Sequence, residues 1–123
     1  MANLVKHSGS YSTPKNILIG QESYYIALPI VVSGSANATL KAGSALTGDI
    51  TARNTAFSVT TTDNVKGILL HDVVLDADGK GNGTLVLAGC IDMLKLDSAI
   101  QSALTSTIQA ALPRIIFVKG SAI

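Results

Sequence analysis

Two stretches decide the fold of this chain: Leu40-Lys-Ala-Gly-Ser-Ala-Leu-Thr-Gly-Asp-Ile50 and, after a polar spacer, Lys66-Gly-Ile-Leu-Leu-His-Asp-Val73. The first stretch predicts a tight turn at Gly43, because glycine adopts a positive φ without steric cost. Leu46 and Ile50 then follow at even spacing, which places both side chains on one face of a strand. The second stretch is a short aliphatic run, which is typical of a buried strand. Together they predict a β-rich domain with glycine turns.

The flanking sequence adds further strands and a single helix. Apolar residues recur at intervals of three to four between Asp97 and Pro113, which predicts one helix capped by Asp97 and ended by Pro113. The other predicted elements are strands at 23–32, 39–40, 67–75, 84–88 and 114–119, a solvent-facing hairpin at 51–65 and a loop at 76–83. The predicted fold class is therefore mainly β with one helix in the C-terminal half, an α+β arrangement.

The composition indicates a protein that covers part of its surface with partners. Apolar residues make up 47% of the 123 residues and charged residues only 14%, against about a quarter charged in typical globular proteins. The longest apolar runs, Ile26–Val32 and Ile115–Val118, are far shorter than the roughly 20 residues that span a bilayer. We therefore expect no membrane partner and burial against other copies of the chain. The net charge of +1, with nine scattered Lys and Arg residues, also argues against a nucleic-acid partner.

Residues 1–20 have the composition of an extended N-terminal arm. A polar stretch that disfavours packed structure is followed by an apolar run, 17–19. Burial of each large side chain in that run stabilises by about 1.5–3 kcal/mol, so the run calls for a partner. Two interpretations are open: an arm that is mobile in the free protein and docks on another one, or a first strand of the same domain. The candidate partner-binding residues of the arm are Ser12, Thr13, Pro14, Ile17, Leu18 and Ile19.

No group of residues predicts an active site. His71 and Asp72 are adjacent on a predicted strand, so their side chains point to opposite faces and do not meet at one reacting atom. Two histidines and one cysteine are too few for a histidine–thiolate zinc site. We therefore expect no enzyme activity and no cofactor. Cys90 is expected to be a buried free thiol, which fits synthesis in a reducing cytoplasm.

Two further segments resemble known sites but are better explained as ordinary structure. Asp76-x-Asp-Gly has the alternating carboxylates of a calcium loop, but it lacks the distal glutamate of an EF-hand, so a solvated hairpin loop is favoured. Lys95 lies in a Met-x-Lys sequence faintly similar to that of biotinyl and lipoyl carriers. It precedes a predicted helix rather than occupying a hairpin tip, which disfavours that function.

A set of short motifs runs in a fixed order along residues 38–119, about two-thirds of the chain. The set comprises Lys41-Ala-Gly43, Leu46, Gly48, Gly67-Ile-Leu-Leu-His71-Asp72-Val73, Gly83-Thr-Leu85, Asp92-x-x-Lys95-Leu-Asp97 and Ile116-Phe-Val-Lys119. In order and spacing it resembles the head decoration and head fibre proteins of tailed phages. The residues to which the resemblance gives a structural role are Lys41, Gly43, Leu46, Gly48, Gly67, His71, Asp72 and Asp97.

The resemblance implies a small β-barrel or β-tulip-like domain over residues 21–123, from which the arm extends. It also implies a homotrimer on the outer surface of the virion, at three-fold or quasi-three-fold positions of the capsid. The partner would be the major capsid protein, contacted by the arm, and the function would be to cement neighbouring capsomers. Two other functions stay open: a short head fibre or fibre base that attaches to the host surface, and a soluble carrier or ligand-binding β-domain.

Overall fold

A computed structural model describes residues 17–19, 25–52, 54–61 and 64–119 of the chain. Within these residues the strands are β1 (Leu18–Ile19), β2 (Ile26–Ser33), β3 (Thr39–Leu40), β4 (Ala45–Thr47), β5 (Ser58–Val59), β6 (Gly67–Leu69), β7 (Val73–Val74), β8 (Lys80–Asp92) and β9 (Ile115–Val118). A 3₁₀ turn (Met93–Lys95) is followed by two short helices, α1 (Ser98–Ala103) and α2 (Ser106–Ala110). The predicted fold class, mainly β with an α+β arrangement, is confirmed.

β8 is the central strand of the domain. Its 13 residues pair with four other strands. The first part of β8 lies between β2 and β6, both antiparallel to it, whereas the last part lies between antiparallel β1 and parallel β9. β4 and β5 extend the sheet beyond β6, and β3 and β7 form a separate two-stranded ladder. Residues from both ends of the described chain therefore depend on one strand.

A β-bulge in β8 changes which residues face which side of the sheet. The register between β2 and β8 shifts at Ile26, so that Leu87 has no partner on β2. Side chains alternate between the two faces of a strand, and one extra residue shifts that alternation. Leu85 therefore packs into one core, whereas Ile91, six residues later, packs into the other.

The sheet has a core on each face. Neighbouring residues such as Ile68 and Leu69 belong to different cores, which places the cores on opposite sides. The helix-side core lies against the helices and consists of Ile17, Ala42, Ala45, Val65, Ile68, Leu70, Val86, Ile91, Met93, Leu96, Leu104, Ile108, Leu112 and Ile115. The second core consists of Ile30, Val32, Leu46, Phe57, Leu69, Val73, Leu75 and Leu85. In the described part of the chain, no helix has the length and apolar character needed to cross a bilayer.

The helix predicted from Asp97 to Pro113 is divided into two. Thr105 has an extended backbone, and its hydroxyl oxygen accepts a hydrogen bond from the N–H of Ile108 (3.4 Å), so it caps the start of α2. The break at Leu104 is supported by the side-chain amide of Gln109, which donates to the Leu104 carbonyl oxygen (2.8 Å). α2 buries Ile108 in the helix-side core and Ile100 of α1 packs against that core, which explains why the periodicity continues across the break.

Several predicted strand boundaries are wrong. The strand predicted at 67–75 divides into β6 and β7, because the chain bends at His71. The loop predicted at 76–83 is shorter, since β8 already begins at Lys80. Phe57, predicted in a solvent-facing hairpin, is fully buried, and its backbone bonds to Val31 and Ser33.

The expected barrel is not closed. The described strands form a seven-stranded sheet that does not close into a barrel. At one end β5 forms a ladder with β4 alone, and Phe57, just before β5, makes an isolated parallel bridge to Val32 of β2. β9 likewise pairs only with β8 in this part of the chain. The two cores on opposite faces replace the single interior that a barrel would enclose.

The apolar run 17–19 belongs to the domain. Ile17 has no exposed surface and lies in the helix-side core, and Leu18 packs against that core. β1 pairs with the end of β8. For these residues the structure shows a first strand of the same domain, which is the second of the two interpretations left open by the sequence. Ser12, Thr13 and Pro14 lie outside the described residues.

The burial of Ile17 gives the first prediction. Ile17→Ala should lower the free energy of unfolding by about 2–5 kcal/mol, because it leaves a cavity in a packed core. Val74→Ala is the matched control, since Val74 is 71% exposed, and it should cost well under half as much. Urea denaturation of both variants measures the difference. Equal losses in the free energy of unfolding would indicate that Ile17 belongs to a detachable arm and not to the core.

The close approach of β6 to β8 gives the second prediction. A Cβ on Gly67 would lie 2.4 Å from the carbonyl oxygen of Val86, a backbone atom that has no room to move. Gly67→Ala should therefore destabilise the protein by about 1–3 kcal/mol or more. A Cβ on Gly83 would meet its nearest neighbour, a methyl carbon of Leu69, at 3.0 Å. Gly83→Ala should be the milder change in thermal denaturation, and the reverse order would contradict the β6–β8 packing.

Candidate functional site

The structure brings several motif residues together around Lys41. The carboxylate of Asp72 accepts a hydrogen bond from the N–H of Ala42 (2.7 Å) through one oxygen. Its other oxygen lies 3.7 Å from the Lys41 ammonium nitrogen, and a carboxylate oxygen of Asp97 lies 3.8 Å from the same nitrogen. We call Lys41, Asp72 and Asp97 the Lys41 cluster. It joins three segments that are far apart in the sequence.

The turn beside the Lys41 cluster packs tightly against the start of α1. Gly43 has a φ of +93°, as predicted for a tight turn. A Cβ at this position would lie 2.6 Å from a methyl carbon of Leu96 and 3.0 Å from Ile100. A glycine at position 43 therefore permits both the positive φ of the turn and its close contact with Leu96 and Ile100, on either side of Asp97.

The remaining motif residues have packing roles in the sheet. Leu46 is fully buried in the second core. A Cβ on Gly48 would lie 2.5 Å from the ring of Phe57, so the absence of a side chain there makes room for the largest buried residue. Gly67 allows β6 to approach β8, as described above. These residues shape the core and bear no reactive group.

His71 is exposed at the bend between β6 and β7 and is not part of the Lys41 cluster. It forms no hydrogen bond or ion pair with another described residue. The prediction that His71 and Asp72 lie on opposite faces of one strand is wrong, because the strand is interrupted there. Asp72 instead supports the turn at Ala42, and nothing aligns the two side chains on a reacting atom.

The turn before β8 uses its carboxylate for its own backbone. Asp76 accepts hydrogen bonds from the N–H groups of Asp78 (2.9 Å) and Lys80 (3.0 Å) through one oxygen. This arrangement closes the turn between β7 and β8. Within the described residues no three His, Cys, Asp or Glu side chains are close enough together to hold a metal ion.

A shallow groove of about 440 Å³ lies at the junction of β8, α2 and the loops around it. Its apolar lining includes Ile50, Val65, Leu87 and Leu112, and Lys66 and Arg114 add two positive charges. Neither cation has an ion-pair partner among the described residues. An apolar floor with two free cations suits a ligand that has an aliphatic part and a negative group. Sequence reasoning missed this groove because its residues are dispersed from Ile50 to Arg114.

Asp49 directly precedes Ile50 of this groove and lies in a turn that lowers the pKa of its carboxyl group. The hydroxyl and the N–H of Thr51 donate to its carboxylate, at 2.6 Å and 2.9 Å, and lower its pKa. The positive charge of Lys66 contributes a smaller effect in the same direction. Asp49 therefore stays ionised to a lower pH than an ordinary aspartate, and its role is to hold the turn after β4.

Cys90 is a free, partly exposed thiol in β8, rather than the fully buried one that was predicted. The bulge at Leu87 places Cys90 on the sheet face opposite the buried Ile91. This change of face depends on a register shift, which the sequence pattern alone does not reveal.

Comparison with known proteins adds no further assignment, since no protein-family model and no curated protein matches this chain.

The Lys41 cluster gives the third prediction. Asp72→Ala leaves the N–H of buried Ala42 without an acceptor, which should lower the free energy of unfolding by about 1–3 kcal/mol. Asp72→Asn keeps an acceptor oxygen and should cost less. Lys41→Ala removes two half-exposed ion pairs and should cost at most about 1 kcal/mol. Urea denaturation gives the order, and a larger effect for Lys41→Ala than for Asp72→Ala would show that charge pairing dominates.

Proposed function

We propose that this chain is a structural virion protein that decorates and cements the capsid of a tailed phage. In this role it forms a homotrimer on the outer capsid surface, at three-fold or quasi-three-fold positions, and binds the major capsid protein. It performs no catalysis and uses no cofactor. The proposal follows from the motif set along residues 38–119 and from its resemblance to head decoration and head fibre proteins.

The observation that carries the proposal is the spatial convergence of those motifs. Lys41, Asp72 and Asp97 belong to three separate motifs, yet they meet in one cluster beside the Gly43 turn. Three glycines of the set, Gly43, Gly48 and Gly67, stand where a Cβ would lie closer than 3.0 Å to a neighbouring atom. Motifs that were matched by chance would have no reason to meet, so their convergence supports a shared architecture with the family.

The absence of an assembled reaction centre in the described residues also fits a structural role. His71 stands alone on the surface, and the carboxylates of Asp72 and Asp76 bond to neighbouring backbone groups. Ser44 is the one buried polar residue among those that the structure describes. A cementing subunit needs a rigid domain and contact surfaces, which is the kind of molecule described here.

In this proposal the residues that precede the core bind the capsid. Because Ile17 is part of the helix-side core, the capsid-binding arm is confined to the residues before it, including Ser12, Thr13 and Pro14. Three such arms on one trimer would act together, since the first attachment raises the effective concentration of the other two. The affinity of the trimer for the shell should therefore exceed that of a single arm by orders of magnitude.

The groove at Lys66 and Arg114 favours the second candidate function, a ligand-binding β-domain. Its apolar floor and the positive charges of Lys66 and Arg114 are suited to an aliphatic carboxylate. The groove is open and shallow, and its volume of about 440 Å³ lies at the small end of ligand sites. Capsid decoration remains the better-supported function because it accounts for the whole motif set.

The fourth prediction tests decoration and the arm together. Purified protein should bind undecorated, expanded capsids of its own phage and appear as trimeric protrusions in electron micrographs. A variant lacking residues 1–15 keeps Ile17, so it should fold and assemble but show at least a tenfold lower occupancy on shells, because the avidity of three arms is lost.

The full-length protein and the truncated variant are compared at equal concentration, and circular dichroism verifies that both are folded. If the full-length protein leaves shells bare at micromolar concentration, the decoration function is wrong. If the truncated variant binds as well as the full-length protein, decoration stands, but the attachment lies within the domain.

A further inference from the structure

The sheet face that bears the second core carries exposed and partly exposed residues around the last part of β8. The bulge directs Ala88 and Cys90 to this face, whereas the second core ends at the first part of the strand. Ile26 pairs with Ala88 on one side, and Ile116 pairs with Cys90 on the other. Directly paired residues share a face of the sheet. With Val118, two residues beyond Ile116, they form one surface, which we call the apolar sheet face.

The apolar sheet face is exposed to an extent that calls for a partner. Ile26 and Ile116 are 59% and 61% exposed. Single exposed apolar side chains are ordinary in proteins, but a contiguous group marks an interaction site. Other strongly exposed apolar residues, such as Val74 and Leu94, stand alone on other elements.

The charge of the apolar sheet face points to an apolar, uncharged partner surface. None of its five residues carries a formal charge. Asp92 pairs with Val118 and so brings one carboxylate to the end of this face, where it already accepts a hydrogen bond from the N–H of Leu94 (3.0 Å). Two copies of this face can meet without opposing like charges, and depletion of charge is the signature of an interface centre.

The open edge of β9 continues this surface. β9 has β8 on one side and no neighbouring strand on the other among the described residues. The outward N–H and C=O groups of an edge strand are a template for pairing with another chain. Apolar contact and backbone hydrogen bonding are therefore available side by side.

We propose that the apolar sheet face, with the adjoining edge of β9, is the surface through which copies of this chain contact one another. The number of copies, three, rests on the proposed function, whereas the location of the surface rests on register, exposure and charge. A second copy is the occupant because it presents the same uncharged apolar face and is present at equal concentration. The low charge of the whole chain, 14%, agrees with such burial.

Aspartate substitutions on this face test the inference. Ile116→Asp and Ile26→Asp, made separately, should each lower the mass measured by light scattering from three times 12.6 kDa to 12.6 kDa at micromolar concentration. Val74→Asp is the matched control: Val74 is 71% exposed but lies on β7, away from the face, so this variant should keep the wild-type mass. Circular dichroism establishes that each variant is folded, and Ile116→Thr, which keeps the β-branched shape, provides a milder version.

Cys90 supplies a second readout in the same proteins. In the wild-type assembly its thiol should react slowly with iodoacetamide, and in Ile26→Asp it should react at least about tenfold faster, because thiol reactivity follows exposure. Slow alkylation in a monomeric variant would mean that another part of the chain covers the face, which would overturn the inference.

The outcomes for this surface and for the proposed function are separable. If both aspartate variants keep the wild-type mass, or if the wild-type protein is itself monomeric, the face is not a contact between copies, whatever the protein does on shells. If the variants dissociate but the wild-type protein never binds shells, the contact surface stands and the decoration function fails.

Discussion

The domain depends on hydrogen bonding by one strand, β8, to four neighbours. A strand has two edges, so it accommodates four partners only if they follow one another along its length, and its 13 residues are long enough for that. The bulge at Leu87 then lets the strand serve two cores, because it shifts the alternation of side chains between the faces. Strand length and one extra residue together account for the open, two-sided architecture.

Local features of the sequence predicted the local parts of this fold. Glycine at position 43 has the positive φ expected of a tight turn, and the aliphatic run after Lys66 is a buried strand. Long-range features were not predictable in the same way. An alternating hydrophobic pattern does not reveal the extra residue at Leu87. The apolar run that begins at Ile17 predicts burial, but the sequence does not show that β8 is its partner. The helix break at Thr105 reflects competition between a hydroxyl cap and an otherwise continuous apolar period.

The motif residues could be identified from the sequence, but their roles could not. Asp72 was recognised as a member of the set, yet its bond to the N–H of Ala42 spans 30 residues of sequence. The same holds for Gly48, whose purpose becomes clear only beside the ring of Phe57. Surfaces were harder still, because the groove at Arg114 and the exposed isoleucines Ile26 and Ile116 combine residues from distant strands. The sequence identifies residues of unusual chemistry. The surface to which an ordinary apolar residue belongs becomes known only from the pairing register of its strand.

The flanking of β8 by β1 and β9 also fixes where the chain enters and leaves the domain. Leu18 pairs with Ile91, and Val118 pairs with Asp92. The point where the chain enters the domain and the point where it leaves therefore lie at the same end of β8, on opposite sides of it. Two interstrand spacings put them about 10 Å apart, while the turn that precedes β8 lies about 40 Å away at the far end. A domain with neighbouring ends can be inserted into a surface loop of a host protein with short connections. It also suits circular permutation, in which new ends open at the turn near Asp78 and β8 keeps all four neighbours.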